Sequence, residues 1–371
     1  MLKEIMTDLT VVSILTVINS FLMVYFVIPR IRWVIKSRKL LDKPNERSSH
    51  ASSTPSMAGV AFFLTLIMTL FFIQNFDTED VGLNIIAAST LVFMVGLKDD
   101  LVVSTPTAKL TMETITILFL LFSSCFHVST LHGFLGIHGI PLILSYIAIT
   151  LLLLTIINAF NLIDGIDGLA SIVAMIIFSI YALIFFVTGF SFYFLLCLSF
   201  IGILLAYLYY NFSAKEKIFM GDTGSLLIGF FIGLCTLKFL AMDAEEFSHF
   251  SFSPENKLVV IGAILCVPLF DLFRVIFVRL YHHKSLMYPD RNHAHHILID
   301  SGLSHFKATM LMGLFNYLLV ILIIWLSSKY NSYIMTLIMG FLFILFTALF
   351  HILKKRLPQK PLKQSNHFKL K

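Results

Sequence analysis

The sequence predicts an all-α protein that crosses a membrane many times, and three observations support this fold class. Of the 371 residues, 58% are hydrophobic and 38 are Phe, whereas soluble globular chains are about 45–50% apolar. About eleven segments are long and apolar enough to cross a bilayer as helices, since one crossing takes about 20 residues. Lys and Arg also accumulate in alternate loops, which is typical of an oriented membrane protein.

The predicted spans follow one another along almost the whole chain. They cover approximately residues 9–28, 57–73, 81–97, 110–126, 140–157, 170–187, 190–210, 226–241, 257–278, 309–327 and 332–353. We therefore expect residues 1–353 to form a single integral-membrane domain. Residues 354–371 are polar and basic, and we expect them to form a disordered cytoplasmic tail.

Charge asymmetry predicts the orientation of these spans. The loop at 29–56 and the tail after residue 353 are rich in Lys and Arg, while loops on the opposite side carry acidic residues such as Asp77 and Asp243. The positive-inside rule places the basic loops in the cytoplasm, with the N-terminus outside and the C-terminus inside. This distribution accounts for the net charge of +6, and nothing in the sequence indicates binding of nucleic acid.

Four short polar strings interrupt the apolar chain, and the predicted topology places all four on the cytoplasmic side. They are the pair Asp99-Asp100, NAFNLIDGIDGLA at 158–170, FMGDTGS at 219–225 and DRNHAHH at 290–296. Independent structural polar residues would be scattered over both faces of the membrane. The convergence therefore predicts a single site on cytoplasmic loops, at the boundary between water and lipid.

Two of these strings carry carboxylates beside hydrocarbon, where charges are costly to place. Asp99 and Asp100 follow the third span directly, and they fit metal binding, phosphate handling or general-base work as well as they fit a solvated loop end. Lys109 begins the fourth span, either as a phosphate ligand or as a lysine whose ammonium reaches the interface. Asp222 precedes the eighth span, where a carboxylate either caps the helix or holds a metal that bridges phosphates.

The string at 158–170 is the most specific of the four. Asn158, Asn161, Asp164 and Asp167 recur every three residues, and this spacing keeps them roughly on one face of a helical or turn-rich segment. Oxygen ligands of this kind suit Mg²⁺ or Mn²⁺. The alternative is a polar turn that caps the sixth helix.

The string DRNHAHH combines a guanidinium with three imidazoles. Arg291 offers bidentate recognition of phosphate, and His293, His295 and His296 can donate to phosphate or sugar oxygens. Zinc binding is the less favoured interpretation, because zinc usually takes Cys or a fourth ligand at suitable spacing. An ordinary His-rich interfacial loop is the remaining alternative.

Taken together, these strings resemble the polyprenyl-phosphate N-acetylhexosamine-1-phosphate transferase family, which belongs to glycosyltransferase family 4. The resemblance extends from LDKPNERSSH to DRNHAHH, nearly the whole chain. It implies a Mg²⁺-dependent enzyme, with Mn²⁺ as the alternative ion. Such an enzyme transfers a sugar-1-phosphate from a UDP-N-acetylhexosamine to undecaprenyl phosphate and releases UMP. It also implies the bacterial inner membrane and, by analogy alone, a homodimer.

The resemblance also implies roles for individual residues. Asp222 would be the main metal ligand and Asn161 the second. Asp99 would contact or deprotonate the lipid phosphate, with Asp100 and Asp164 completing the catalytic carboxylates. The substrate-binding residues would be Lys109, Asp167, Arg291, His293, His295 and His296, with Asp167 on the uridine and the others on the pyrophosphate or sugar.

The branch of the family is indicated by the end of the His string. The phospho-MurNAc-pentapeptide translocase branch has three consecutive His followed by Phe-Glu, whereas this chain has His295-His296-Ile297-Leu298. The sequence is more similar to the branch that transfers GlcNAc-1-phosphate and starts lipopolysaccharide O-antigen, teichoic acid or capsule chains. Ala58 in place of a usual glycine and Glu113 in place of a usual glutamine depart from the family pattern.

Four alternatives remain at this stage, the last of them a catalytically inactive regulator built on the enzyme fold. The first is phospho-MurNAc-pentapeptide transfer for the peptidoglycan of the cell wall. A CDP-alcohol phosphatidyltransferase would show an Ala-Arg pair soon after an Asp-Gly, and none follows Asp164-Gly165. A transporter or channel would carry its ionisable residues within the spans. In this chain nearly all of them lie at the cytoplasmic ends of the predicted spans, and only Asp271, Arg274 and Glu113 lie deeper.

Overall fold

Thirteen α-helices make up most of the protein in the computed structural model, which describes residues 8–38, 41–42, 54–102, 104–123, 126, 128–243, 245–285 and 292–357. They are α1 (Leu9–Ser37), α2 (Gly59–Ile73), α3 (Gly82–Leu101), α4 (Pro106–Ser123), α5 (Leu142–Ile163), α6 (Leu169–Val187), α7 (Ser191–Asn211), α8 (Gly221–Ala241), α9 (Lys257–Ile264), α10 (Cys266–Tyr281), α11 (Ala294–Asp300), α12 (His305–Ser327) and α13 (Ser332–Arg356).

The β-structure within the described ranges consists of two short antiparallel ladders. Strand β1 (Leu41–Asp42) pairs with β2 (Thr54–Pro55), and β3 (Thr130–Phe134) pairs with β4 (Ile137–Gly139). The second ladder joins α4 to α5, and neither ladder adds a layer to the fold.

The prediction of an all-α, multi-pass membrane protein is confirmed. Each of the eleven predicted spans lies on a helix or, for 257–278, on the pair α9 and α10. Nine helices in the described part of the chain are long and apolar enough to cross a membrane, or ten spans if the bent pair counts as one. Helix α4 is not among the nine, and it carries Lys109 and Glu113. The orientation of the bundle stays a prediction.

The span predicted at 257–278 is broken in the structure. Helices α9 and α10 are bent by 75°, and Pro268 lies in the first turn of α10, where it cannot donate a backbone hydrogen bond to the preceding turn. The side chain of Asn316 on α12 satisfies backbone groups at the break. Its amide donates to the Ile264 carbonyl at 3.2 Å, and its oxygen accepts from the Val267 N–H at 3.3 Å.

Helix α8 lies at the centre of the bundle, with 94% of its apolar segment buried. It packs against α2, α3 and α5, and glycines allow these backbones to come close together. A Cβ on Gly96 of α3 would lie 2.5 Å from Thr223 Cα, and one on Gly59 of α2 would overlap the backbone of Gly224. These contacts fix the first turn of α8, which belongs to the string FMGDTGS.

The end of the chain is described only in part. Helix α13 continues to Arg356, so the first residues of the predicted tail are helical. Residues 358–371 lie outside the described residues, and the expectation that they are disordered stays a prediction.

Candidate active site

The four polar strings converge at one end of the bundle. They lie at the C-terminal ends of α3 and α5, at the N-terminal ends of α6 and α8, and at the start of α11. The predicted site residues found there are Asp99, Asp100, Lys109, Asn161, Asp164, Asp167, Asp222, His293, His295 and His296. Arg291 lies outside the described residues.

The centre of the site is an ion-pair network around Lys109. Its Nζ lies 2.6 Å from Asp222 Oδ2 and 3.2 Å from Asp99 Oδ2. Asp99 is held from its other side by the backbone N–H of Ser104, which donates to Oδ1 at 2.7 Å. The side chains of Lys109 and Asp99 are only 14% and 13% exposed. Two ionised carboxylates that share one partner repel each other, and the Lys109 ammonium between them supplies the positive charge that this position favours.

Asn161, in the last turn of α5, meets Asp222 directly. Its amide nitrogen donates to Asp222 Oδ1 at 2.9 Å and to the Ser225 hydroxyl at 2.8 Å. The two residues assigned to a metal by the family resemblance are therefore neighbours, although 61 residues separate them in sequence. Carboxylate and amide oxygens are hard ligands of the kind that Mg²⁺ prefers.

Asp100 caps the start of α8. Its two carboxylate oxygens accept hydrogen bonds from the backbone N–H of Asp222 at 2.8 Å and of Thr223 at 3.0 Å, and Oδ2 also accepts from the Thr223 hydroxyl. The first N–H groups of a helix have no partner within the helix, so a carboxylate from α3 stabilises this end. The sequence suggested that Asp222 could be the cap, but the capping carboxylate in the structure is Asp100.

The segment that leads into α8 is held by the residues before α2. The backbone N–H of Phe219 donates to the Pro55 carbonyl at 2.8 Å, and those of Ala58 and Gly59 donate to Phe219 and Met220 at 3.0 and 3.1 Å. Ala58 has right-handed helical dihedral angles. The structure therefore accommodates alanine at this departure from the family pattern.

Asp164 and the ring of His295 both lie at the turn that follows α5. The Asp164 side chain is half-buried, and burial, together with the nearby charges of Asp222 and Asp100, raises its pKa to about 7. The ring of His295 packs directly against Gly165. Burial lowers the pKa of His295, so its imidazole is neutral, and its Nε2 has no hydrogen-bond partner among the described residues.

The raised pKa of Asp164 predicts a pH-dependent stability. The folded protein binds this proton more tightly than the unfolded chain, whose carboxyl has a pKa near 3.8. The resulting stabilisation is complete below that value and disappears as the pH rises through about 7. In chelator-containing detergent solution we expect the melting temperature of the wild type to fall by a few degrees between roughly pH 6 and 8. In Asp164→Asn this part of the pH dependence should be absent. An equal fall of the melting temperature with pH in both proteins would contradict the raised pKa of Asp164.

Asp167 belongs to a second polar cluster that contains two residues not predicted from sequence. Its Oδ2 lies 2.6 Å from Lys217 Nζ and 3.0 Å from His305 Nδ1. Burial opposes ionisation, but the hydrogen bonds from His305 and Lys217 outweigh it and lower the pKa of Asp167. The Thr309 hydroxyl donates to the Asp167 carbonyl at 2.8 Å. The side-chain oxygen of Asn211 accepts from the backbone N–H of the residue after Asp167, at 2.7 Å. Asp167 is therefore an ionised carboxylate in a fixed position.

The His string is held by two charged residues inside α10. Asp271 Oδ2 lies 2.7 Å from His293 Nδ1, and its Oδ1 accepts from the Ala294 N–H at 2.7 Å and from Arg274 at 3.1 Å. Arg274 also donates to the Asn292 carbonyl. Asp271 and Arg274 therefore pair with each other and also hold the start of the His string.

Asn158, the first of the four residues spaced three apart, bonds to Glu113 rather than to Asp222. Its amide nitrogen donates to Glu113 Oε2 at 2.6 Å and to the Leu154 carbonyl at 3.0 Å. Glu113 is buried, and its other oxygen has no partner in the described part of the chain. Of the four residues spaced three apart, Asn158 therefore pairs with Glu113, and the other three belong to the site.

The region that contains this site is similar to a known protein family. Residues 83–240 match the family described as Glycosyl transferase family 4. The matched stretch includes the ion-pair network of Asp99, Lys109 and Asp222 and the turn with Asp164 and Asp167, and it ends before the His string.

Full-length relatives extend the similarity beyond the matched domain. The chain is 28% identical over 321 residues to the undecaprenyl-phosphate alpha-N-acetylglucosaminyl 1-phosphate transferase of Salmonella typhi, covering 85% of this chain and 84% of that protein. It is 28% identical over 329 residues to the protein of that name in Escherichia coli K12, covering 88% and 86%. The corresponding Haemophilus influenzae protein is 28% identical over 302 residues, covering 80% and 81%.

Proposed function

We propose that this protein transfers N-acetylglucosamine-1-phosphate from UDP-N-acetylglucosamine to undecaprenyl phosphate, with Mg²⁺, and releases UMP. The observation that carries the proposal is the network of Asp99, Lys109, Asn161 and Asp222 at one end of a membrane bundle. A cation site between carboxylates suits a phosphorylated substrate, and a membrane bundle suits a lipid one. The relatives' names supply the sugar and the polyprenol.

The donor set fits Mg²⁺. The described residues contain no group of three or more His, Cys, Asp or Glu that could hold a metal ion by themselves. Mg²⁺ usually takes one or two carboxylates from the protein and its remaining ligands from water and substrate phosphates. Asp222 and Asn161 would hold it, and the ion would neutralise the charge that develops on the phosphates.

The remaining residues position the phosphates. In the reaction, an oxygen of the lipid phosphate bonds to the sugar-bearing phosphorus, and UMP leaves with the bridging oxygen. A phosphate monoester has a second pKa of about 6, so at neutral pH most lipid phosphates have already lost this proton. Asp99 would therefore need to accept a proton from only a minority of lipid molecules. Lys109 would turn from Asp222 to a phosphate oxygen, and the neutral imidazole of His295 would donate to a phosphate or sugar oxygen.

The proposal places the protein in the bacterial inner membrane, at the first membrane step of a cell-surface polysaccharide such as O-antigen. Transport is less favoured, because the residues of the four polar strings gather at one end of the bundle rather than along a path through it. Phospho-MurNAc-pentapeptide transfer remains as the second donor to be tested.

Release of UMP by the purified full-length protein in detergent tests the proposal. The protein receives undecaprenyl phosphate and, in separate reactions, UDP-GlcNAc, UDP-GalNAc, a UDP-linked deoxy-HexNAc or UDP-MurNAc-pentapeptide, each with Mg²⁺, with Mn²⁺ or with chelator. We expect UMP from UDP-GlcNAc only when both lipid and divalent ion are present. UMP from the pentapeptide donor alone would move the protein to the other branch. No UMP from any donor, with folded protein, would contradict the proposed function.

A further inference from the structure

A buried carboxylate beside the ion-pair network of Lys109 has one oxygen without a partner. Glu113 is 1% exposed, and its Oε2 accepts from the Asn158 amide nitrogen at 2.6 Å. Its Oε1 makes no hydrogen bond within the part of the chain that the structure describes. An unpaired carboxylate oxygen in a buried position is costly, and native proteins usually supply a donor for it. Oε1 therefore requires a donor that reaches it in the working protein.

Neighbouring hydrogen-bond donors on α4 and α5 are already used. The second N–H of the Asn158 amide goes to the Leu154 carbonyl at 3.0 Å. The threonine hydroxyls of α4 around Glu113 donate to carbonyls of their own helix, namely those of Thr111, Thr114 and Thr116. Lys109 lies four residues before Glu113 on α4, a spacing that brings an ammonium and a carboxylate together on one helix face. Its ammonium is therefore the donor best placed to reach Oε1.

Both oxygens of Asp222 have partners from the chain. Oδ1 accepts from Asn161 at 2.9 Å, and Oδ2 accepts from the Lys109 ammonium at 2.6 Å. A divalent ion bound to Asp222 would meet this ammonium at the same carboxylate, and like charges at such a distance repel each other. Because Lys109 also donates to Asp99, at 3.2 Å, its ammonium can leave Asp222 without leaving the site.

We propose that Glu113 is a positioning residue for Lys109, and that its Oε1 receives the ammonium when Mg²⁺ takes the place of Lys109 at Asp222. The inference rests on the proposed function, which supplies the ion. An ammonium has three N–H groups. Lys109 then donates one to Asp99, one to Glu113 and the third to the phosphate oxygen that the proposed function gives it. The ammonium stays beside the ion and no longer competes with it for a carboxylate.

A glutamine at position 113 could not take this role. Its single oxygen would accept from Asn158, as Glu113 Oε2 does at 2.6 Å, and its NH₂ group would lie where Oε1 lies. A donor would then face the Lys109 ammonium, which is itself only a donor. Glu113→Gln therefore removes the acceptor for Lys109 and keeps the contact with Asn158 that holds α4 against α5.

Binding of Mn²⁺ to the purified full-length protein in detergent tests the inference, with the free ion measured by electron paramagnetic resonance. We expect Glu113→Gln to bind Mn²⁺ about tenfold more weakly than the wild type, because a hydrogen bond between charged groups is lost only in the ion-bound protein. Lys109→Met removes the competing ammonium and should bind Mn²⁺ more tightly than the wild type. In the transfer assay, Glu113→Gln should need about tenfold more Mg²⁺ to reach half of its maximal rate.

The double variant separates positioning of Lys109 from a direct effect of the Glu113 charge on the ion. If Glu113 acts through Lys109, adding Glu113→Gln to Lys109→Met should leave the Mn²⁺ affinity unchanged. A direct effect of charge would persist in that background. Glu245→Gln is the matched control, since it removes an exposed carboxylate between α8 and α9 and should bind Mn²⁺ as the wild type does.

Three outcomes would overturn the inference. The first is an equal Mn²⁺ affinity of the wild type and Glu113→Gln, and the second is an equal loss from Glu113→Gln with and without Lys109. The third, weaker binding by Lys109→Met than by the wild type, applies even if Glu113→Gln does not fold. In each case, Mg²⁺-dependent release of UMP by the wild type would leave the proposed function standing. No Mn²⁺ binding by the wild type would overturn both the inference and the assignment of the metal to Asp222.

Discussion

Asp222→Asn is expected to reduce lipid-dependent UMP release by at least about a hundredfold, the loss typical of removing one electrostatic contact to developing charge. The substitution keeps the shape of the side chain and removes its charge. It should not unfold the site, because the cap on α8 uses the backbone N–H of residue 222 and the carboxylate of Asp100. Lys109 also keeps its contact with Asp99 at 3.2 Å.

The measurement is the rate of UMP release across a Mg²⁺ titration, with thermal unfolding recorded on the same preparations. Asp243→Asn is the matched control, since it removes an exposed carboxylate after the opposite end of α8 and should leave the rate unchanged. Asp222→Asn should melt near the wild type, and its residual rate of UMP release should respond only weakly to Mg²⁺. Wild-type activity with an unchanged Mg²⁺ dependence in Asp222→Asn would refute the assignment of the metal to this carboxylate.

The fold could be predicted from sequence because each span carries its own signal. A run of about 20 apolar residues identifies a helix without reference to any other part of the chain. The break between α9 and α10 was missed even though Pro268 lies within the predicted span. Proline is tolerated in membrane helices when a neighbour satisfies the backbone, and here the neighbour is Asn316, about fifty residues further on. Hydropathy carries no information about such a partner.

The site could be predicted from sequence where the residues next to a polar side chain in the chain mark it as unusual. Asp99, Asn161 and Asp222 stand out beside apolar runs, and they do meet in the structure. Their partners could not be deduced in the same way. Spacing does not reveal that Asp100 caps a helix 122 residues away. Lys217 lies 50 residues from Asp167, and it resembles any other loop lysine in the sequence.

Asp271→Ala is expected to lower the free energy of unfolding by about 3–5 kcal/mol, because it leaves a buried charge without its partner. Asp271 and Arg274 are 1% and 2% exposed. Removing the carboxylate also takes the acceptor from His293 Nδ1 and from the Ala294 N–H. Arg274 would keep the Asn292 carbonyl and the Phe350 ring, 5.5 Å from its guanidinium. Neither of these neutralises its charge.

Thermal unfolding in detergent distinguishes this network from ordinary packing. A loss of that size should lower the melting temperature of Asp271→Ala by on the order of 10 °C. The double variant Asp271→Leu with Arg274→Met removes both buried charges, so it should be more stable than Asp271→Ala, although it has one more change. Both variants should bind the UDP-sugar less well, because His293 loses the carboxylate that orients it. If Asp271→Ala melts within a degree of the wild type, the His string is held by other contacts. If the double variant is the less stable of the two, the loss comes from packing rather than from an unpaired charge.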